Sequence, residues 1–315
     1  MALATPARFG AASASALTTT RTSRRQSITG RVVEALLLLA LLASLVILTA
    51  LIVHLFQRSW SVLGNRFGDF VTGTLDASDA SAAGIGQAIR GTIILSVIVA
   101  VVAFPLGIAC AIFLEEYAGK SRLARMLRLN VRNLAGVPSI VYGILGLTIF
   151  VKFAKGVTGG RTVIAGGLTL AVLVLPIVII TASEALRAVP KSIREGAYGV
   201  GATQWETIRS HVLPSAGPGI LTGTILSLSR AAGEAAPLLL VGGLTGLLRT
   251  GDQSFWEQIT QGGFTSLPVA IFSYARQTGS DFQAVTGAAS LMLLVVVVVL
   301  NGIAITLRNR FERRW

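Results

Sequence analysis

The sequence predicts an all-α, polytopic membrane protein with six transmembrane helices. Three observations carry that expectation. Only 13% of the 315 residues are charged, against about 25% in soluble domains, and 53% are hydrophobic. Six apolar segments match the roughly 20 residues that a helix needs to cross a bilayer. Lys and Arg, which outnumber Asp and Glu by 27 to 14, gather in alternate connecting segments. The mean hydropathy of +0.73 also excludes a disordered chain, and the 34 Gly suit close helix packing in a membrane.

The elements follow in order. Residues 1–30, rich in Ala, Ser, Thr and Arg and without an acidic residue, read as a disordered cytoplasmic tail. An organelle transit peptide shares that composition, but nothing else in the chain supports one. The first transmembrane helix is expected over 31–60, with an apolar core at 32–56. That core is too long for the h-region of a secretory signal, and no clean small-x-small site follows it. Residues 61–87, with Gly64, Gly68, Gly73, Asp69, Asp76 and Asp79, read as an irregular external loop. A transmembrane core occupies 88–308, with apolar spans near 92–114, 134–151, 162–183, 218–248 and 282–307, and 309–315 is a basic cytoplasmic tail.

Sidedness comes from the cations. With the N-terminus inside, the inside segments hold Arg8, Arg21, Arg24, Arg25 and Arg31, then Lys120, Arg122, Arg125, Arg128 and Arg132, then Arg187, Lys191, Arg194 and Arg209, and finally Arg308, Arg310, Arg313 and Arg314. The outside segments hold fewer: Arg58, Arg66, Arg90, Lys152, Lys155, Arg161, Arg249 and Arg276. Both termini are therefore expected in the cytoplasm.

Several chemistries are excluded. The formal charge of +13 would suggest nucleic acid in a soluble domain, but here it follows membrane sidedness. Cys110 is the chain's sole cysteine, and His54 and His211 are its sole histidines, so no His/Cys metal site can be assembled. Gly119-Lys120-Ser121 ends like a phosphate-binding loop, but Leu114 stands where that motif needs its first glycine. A basic loop against anionic lipid headgroups reads better. Glu115 and Glu116 are sequence neighbours and do not face each other on a helix, which argues against an acid/base pair.

The most specific signal lies in the cytoplasmic loop 184–215. It reads Glu195-Gly196-Ala197-Tyr198-Gly199-Val200-Gly201, then nine residues, then His211-Val212-Leu213-Pro214. This resembles the coupling (EAA) loop of ABC-importer permeases, Glu-Ala-Ala, three residues, Gly, nine residues, Ile-x-Leu-Pro. Gly196 and His211 depart from it. The resemblance implies the ABC-importer permease fold and a helix–turn–helix that docks on an ATPase through Glu195, Ala197, Gly201, Trp205, Leu213 and Pro214. The residues agree: Pro190 can start a helix at Lys191, and Gly199 and Gly201 permit a turn. Trp205, Ile208 and Val212 recur at helical spacing as an apolar stripe, which either meets a partner or packs back on the chain's own helix ends.

Within the fifth span stands Ser229-Arg230-Ala231-Ala232-Gly233-Glu234-Ala235-Ala236-Pro237-Leu238. Arg230 and Glu234 lie one helical turn apart near the expected midplane, with Gly233 and Pro237 as a kink beside them. Charges at that depth usually face a bundle interior and carry a function, at about 2.5–3.5 kcal/mol each; a self-neutralising structural pair is the alternative. Together with Gly136-Val137-Pro138-Ser139-Ile140-Val141-Tyr142-Gly143, Phe255-Trp256 and Leu267-Pro268-Val269-Ala270-Ile271-Phe272, this stretch resembles the phosphate-specific transport permeases of the PstA type, over about residues 85–315.

The resemblance implies a non-enzymatic subunit of the bacterial inner membrane that imports inorganic phosphate. Its partners would be a homologous PstC-type permease, two copies of an ATPase that carry the ATP and Mg, and an extracytoplasmic phosphate-binding protein, with no cofactor on this chain. Arg230 would meet the anion, since planar guanidinium donors match two anion oxygens at once, and Glu234 would hold it in place. Two other readings stay open: a permease for another oxyanion such as molybdate or sulfate, and an ion-coupled secondary transporter in which Glu234 carries a proton.

Overall fold

The computed structural model describes residues 24–119, 121–243 and 262–312. The chain divides into two units, residues 1–53 and 54–315.

The described part of the first unit is the beginning of α1, Arg24–Asn65. From Ala35 to Val53 its side chains are apolar all round except Ser44 and Thr49 and almost all exposed, with Leu36, Leu37 and Ile47 between 60% and 69% accessible. Such a helix has no aqueous face and belongs in lipid or against another membrane helix. Because α1 begins at Arg24, the tail expected over 1–30 is helical in its last seven residues. Residues 1–23 lie outside the described residues.

The second unit is a bundle around α7, Val163–Ala188. The apolar window of α7 is 67% buried, against 28% for that of α3, Gly86–Ile112, with its continuation to Tyr117. α7 is thus the central helix. Small residues let α3 close on it: a Cβ on Gly107 would stand 2.6 Å from Val178 Cγ1, so only hydrogen fits there. Leu95, Val99, Leu170 and Val174 fill the seam. Pro105 and Pro176 sit inside α3 and α7, which continue through them.

The segment expected as an irregular external loop is more ordered than its Gly and Asp content suggests. α1 runs on to Asn65, and α2, Phe67–Thr72, follows. Phe70, Leu75 and Ile85 are fully buried against Tyr274 and Val285. The Arg66 guanidinium donates to the carbonyls of Ala80, Ser81 and Ala83, and Tyr274 Oη donates to Gly84 O at 2.7 Å. Apolar side chains at single positions and one arginine hold the turn, which composition does not reveal.

The third expected span, 134–151, also differs. An amphipathic helix α4, Arg122–Ala135, meets a helix beginning at Ser139 at an angle of 101°. This second piece is α5, Ser139–Gly146, continued by a π-helical stretch Leu147–Phe153. Pro138 explains the break: it disfavours helical backbone at Val137 and serves as the N-cap of α5. Tyr142 Oη donates back to Leu134 O at 2.8 Å and ties the two arms. Counting this bent pair once, six segments among the described residues are long and apolar enough to cross a membrane.

A short α6, Lys155–Thr158, precedes α7. After it come α8, Lys191–Gly199; α9, Gln204–Thr207, with a π-helical turn Ile208–Val212; and α10, Leu213–Gly233. The expected fifth span, 218–248, is not one helix. α10 stops at Gly233, Glu234 is extended at φ −85°, ψ 118°, and α11, Ala236–Val241, carries Pro237 in its first turn. Gly233 ends the first helix, and Pro237, which has no N–H to give the Gly233 carbonyl, denies the chain a continuous ladder. Residues 244–248 and Phe255-Trp256 lie outside the described residues. The Leu267–Phe272 motif opens α12, Leu267–Ala275, and α13 runs Ser280–Glu312, so most of the expected basic tail 309–315 continues the last helix.

Candidate functional site

The loop between α7 and α10 folds as a helical hairpin, and its sequence dictates how. Val189 and Pro190 are extended, which ends α7 and starts α8 at Lys191, as the proline predicts. Gly201 turns the chain at φ 86°, a region open to glycine and strained for other residues. Thr203 then caps α9 in a reciprocal box: its Oγ1 accepts from Glu206 N at 3.3 Å, and Glu206 Oε2 accepts from Thr203 N at 2.8 Å.

The expected apolar stripe divides in two. Ile208 and Val212 are fully buried, and Val212 packs with Ala111, Leu186 and Ile220. Trp205 points away at 53% exposure, beside Val200 at 86% and Tyr198 at 46%. The π-helical turn at 208–212 shifts the register between Trp205 and Val212, so regular 3.6-residue spacing misjudges their faces. Glu195 and Gly201 are exposed with these three, Ala197 is buried, and Leu213 and Pro214 are half-buried at the start of α10. An exposed Trp, Tyr and Val on one hairpin suit a docking face.

An ionic latch holds this hairpin to the membrane helices. α3 ends in a π-helical turn, Phe113–Tyr117, that presents Glu115 and Glu116 to different partners. Arg187 of α7 grips Glu115 in bidentate fashion, both contacts at 2.7 Å, and Arg128 of α4 approaches it at 3.5 Å. Arg194 of α8 donates to Glu116 Oε1 at 2.7 Å and to the carbonyls of Leu186 and Val189, each at 2.9 Å. Gln204 Nε2 adds a bond to Glu116 O at 2.7 Å. Arginines from α4, α7 and α8 therefore converge on two adjacent carboxylates, and α9 adds a bond to the backbone between them and the loop. Sequence reasoning missed this, because the partners lie 72 and 78 residues away and no local spacing announces them.

The second cluster surrounds Arg230 and Glu234. Arg230 occupies the last turn of α10, where the C-terminal dipole favours a cation. Arg230 Nε lies 3.7 Å from Glu234 Oε1, with the two side chains 52% and 21% exposed. The pair expected from the i, i+4 spacing exists, but across a helix end instead of along a continuous helix. Pro237 accordingly starts a new helix instead of kinking one. Gly233 is exposed with open space around its α-carbon, and Glu234 is half-buried. Pro237 is buried against α5: a Cβ on Gly143 would stand 2.8 Å from Pro237 Cα. The two membrane motifs singled out in the sequence thus touch.

A neighbouring cleft escaped the sequence reading. Thr92, Ser96 and Ser266 line it with Ala231 and Leu238, and Ser266 Oγ is buried without a hydrogen-bond partner. Phe264-Thr265-Ser266 carries no pattern that would have flagged it.

Comparison with known proteins now has a geometry to rest on. Residues 103–315 match the family of binding-protein-dependent transport system inner membrane components. The phosphate transport system permease protein PstA 1 of Mycobacterium tuberculosis is 36% identical over 234 residues, covering 74% of this chain and 73% of that protein. The PstA protein of Yersinia pestis is 38% identical over 221 residues, covering 70% and 71%. A bacterial alginate ABC transporter, solved with its periplasmic protein bound to an alginate pentasaccharide, aligns at a TM-score of 0.62 and 15% identity over 91% of this chain and 97% of that one. The MetNI methionine transporter in an inward-facing form aligns at 0.54 and 18% over 72% and 94%. The helical bundle, its hairpin between α7 and α10 and the match over 103–315 make this chain a member of the binding-protein-dependent transport system inner membrane component family.

Proposed function

We propose that this chain is the PstA-type permease subunit of an ATP-driven importer of inorganic phosphate. The observation that carries the reading is the pairing of phosphate-permease relatives, at 36% and 38% identity over 74% and 70% of this chain, with an arginine at the end of α10. The chain forms half of the membrane pathway with a homologous PstC-type permease. Two copies of an ATPase carry ATP and Mg, and an extracytoplasmic phosphate-binding protein delivers the anion. The chain itself performs no catalysis and holds no cofactor, and both of its termini face the cytoplasm.

In this reading the hairpin α8–α9 docks on the ATPase through Glu195, Gly201, Tyr198, Val200 and Trp205, while Ala197, Leu213 and Pro214 shape it from within. The latch through Glu115 and Glu116 then passes its displacement to α3, α4 and α7 together. Arg230 meets the anion, and Glu234 keeps the guanidinium placed and binding weak enough for release. Uptake into vesicles carrying all subunits tests the reading. Phosphate should be taken up, sulfate and molybdate should not compete, and uptake should stop without the ATPase. Preference for another oxyanion would overturn the substrate, and uptake sustained without the ATPase would replace the importer with an ion-coupled carrier.

A further inference from the structure

We infer that α4 is a binding site for anionic phospholipid, lying in the plane of the membrane on the side where the coupling hairpin stands. Three sectors of the helix point to this. Ala124 is 1% exposed and, with the partly buried Arg128, Val131 and Ala135, turns inward. Leu123, Met126 and Leu134, 61%, 54% and 47% exposed, form a second sector at helical spacing with the half-buried Leu127. Arg122, Arg125 and Arg132 form the third, exposed and without an ion pair among the described residues. Leu129, 54% exposed, stands alone among these arginines.

Orientation follows from the bend. With the bent pair read as one crossing, in which α5 and its continuation are the transmembrane arm, α4 leaves that arm at 101° and runs nearly parallel to the bilayer surface. The apolar sector of α4 needs cover that the described residues do not supply. Phe113 and Tyr117, 53% and 47% exposed on the adjoining turn, continue that surface with the aromatic residues that favour the bilayer interface.

Charge decides what the cover is. No acidic residue occurs from Tyr117 to Ser183, so nothing on α4 itself opposes an anion. α4 forms a cleft with α7, lined by Arg128, Arg132, Ser183, Glu184 and Arg187. Arg128 and Arg187 are engaged by Glu115, which leaves Arg132 as the available donor there. An apolar stripe flanked by arginines is the pattern of a helix that rests among acyl chains and grips lipid phosphates. Free phosphate would satisfy the arginines but would leave Leu123, Met126 and Leu134 in water. The inference therefore commits to the lipid.

The assembled transporter, reconstituted in phosphatidylcholine with or without phosphatidylglycerol in both leaflets, gives the test; the outcome then depends on neither sidedness nor cargo. A nitroxide at Met126→Cys in a Cys110→Ser background should be accessible to oxygen and shielded from aqueous nickel. Native mass spectrometry should find phosphatidylglycerol retained over phosphatidylcholine. Retention should fall about fivefold for each arginine removed in the series Arg122→Gln, Arg125→Gln and Arg132→Gln. The corresponding lysine variants should keep it, which separates lost charge from a disturbed fold. Nickel access at Met126 equal to that of an aqueous site, retention indifferent to headgroup charge or to the three substitutions, or displacement of the lipid by inorganic phosphate would each overturn the inference.

Discussion

Arg230 illustrates what a single residue reveals and what it hides. Its spacing to Glu234 announced an ion pair, and the pair exists at 3.7 Å. The helix end between them was not announced, because Gly233 and Pro237 read equally as a kink or a stop. The difference changes the energetics. With Arg230 52% exposed and 3.7 Å from its partner, the contact adds little to the packing of the chain itself. We therefore expect Arg230→Gln to shift thermal stability little while abolishing phosphate uptake, with subunit assembly intact. The double variant with Glu234→Gln separates the roles. If the charge serves the anion, the double variant stays inactive; restored uptake would show that the arginine only balances its neighbour. Uptake and a melting curve on the same preparations decide it.

At the scale of elements, the coupling hairpin was the most legible part of the chain, since Pro190, Gly201 and the Thr203/Glu206 box each encode their geometry locally. Gly201 gives the sharpest expectation. At φ 86° a β-branched side chain is strained by roughly 1–3 kcal/mol, so Gly201→Val should leave membrane insertion intact and lower the ATPase recovered with the purified permease. Full stoichiometry and full transport would remove Gly201 from the docking element. The latch was illegible for the opposite reason: every contact is long-range. Arg194→Ala deprives Glu116, 8% exposed, of a charged partner at 2.7 Å. Hydrogen bonds to charged groups are worth about 1.5–3 kcal/mol. The expected result is a hairpin loosened by that order, seen as faster amide exchange over 191–212 and in the last turn of α7, whose Leu186 and Val189 carbonyls lose the same guanidinium, with the body of α7 unaffected. Unchanged exchange would show that α8 stays in place without it. The third and fifth spans fall between these cases. Their apolar content was plain, but proline and glycine fixed where each breaks, and average hydropathy does not register a 101° turn.

The whole molecule raises one question that both physics and family leave for direct measurement, which is its sidedness. The bend at Gly136–Pro138 keeps the helix count at six only if α5 and its continuation cross the bilayer. If they formed a re-entrant arm, the count would be five and the termini would lie on opposite sides. The contacts favour six, because the arginine-rich α4 and the coupling hairpin are joined by the latch through Glu115 and Glu116. They must share one side. Val157, 87% exposed just before α7, then lies on the other side with the exposed Ala82. Single cysteines at Ala82, Val157 and Val200, placed in a Cys110→Ser background, report this through an impermeant thiol reagent. Val200 is 86% exposed, so lack of reaction there reflects sidedness once the ATPase is left out of the strain. In intact cells we expect Ala82→Cys and Val157→Cys to react and Val200→Cys to react only after the membrane is opened. A re-entrant α5 predicts the exchanged pattern, because α7 still crosses between the two sites: Val200→Cys would react in intact cells beside Ala82→Cys, and Val157→Cys only after the membrane is opened. That result would also remove the in-plane geometry of α4, because the arm to which it stands at 101° would no longer mark the membrane normal.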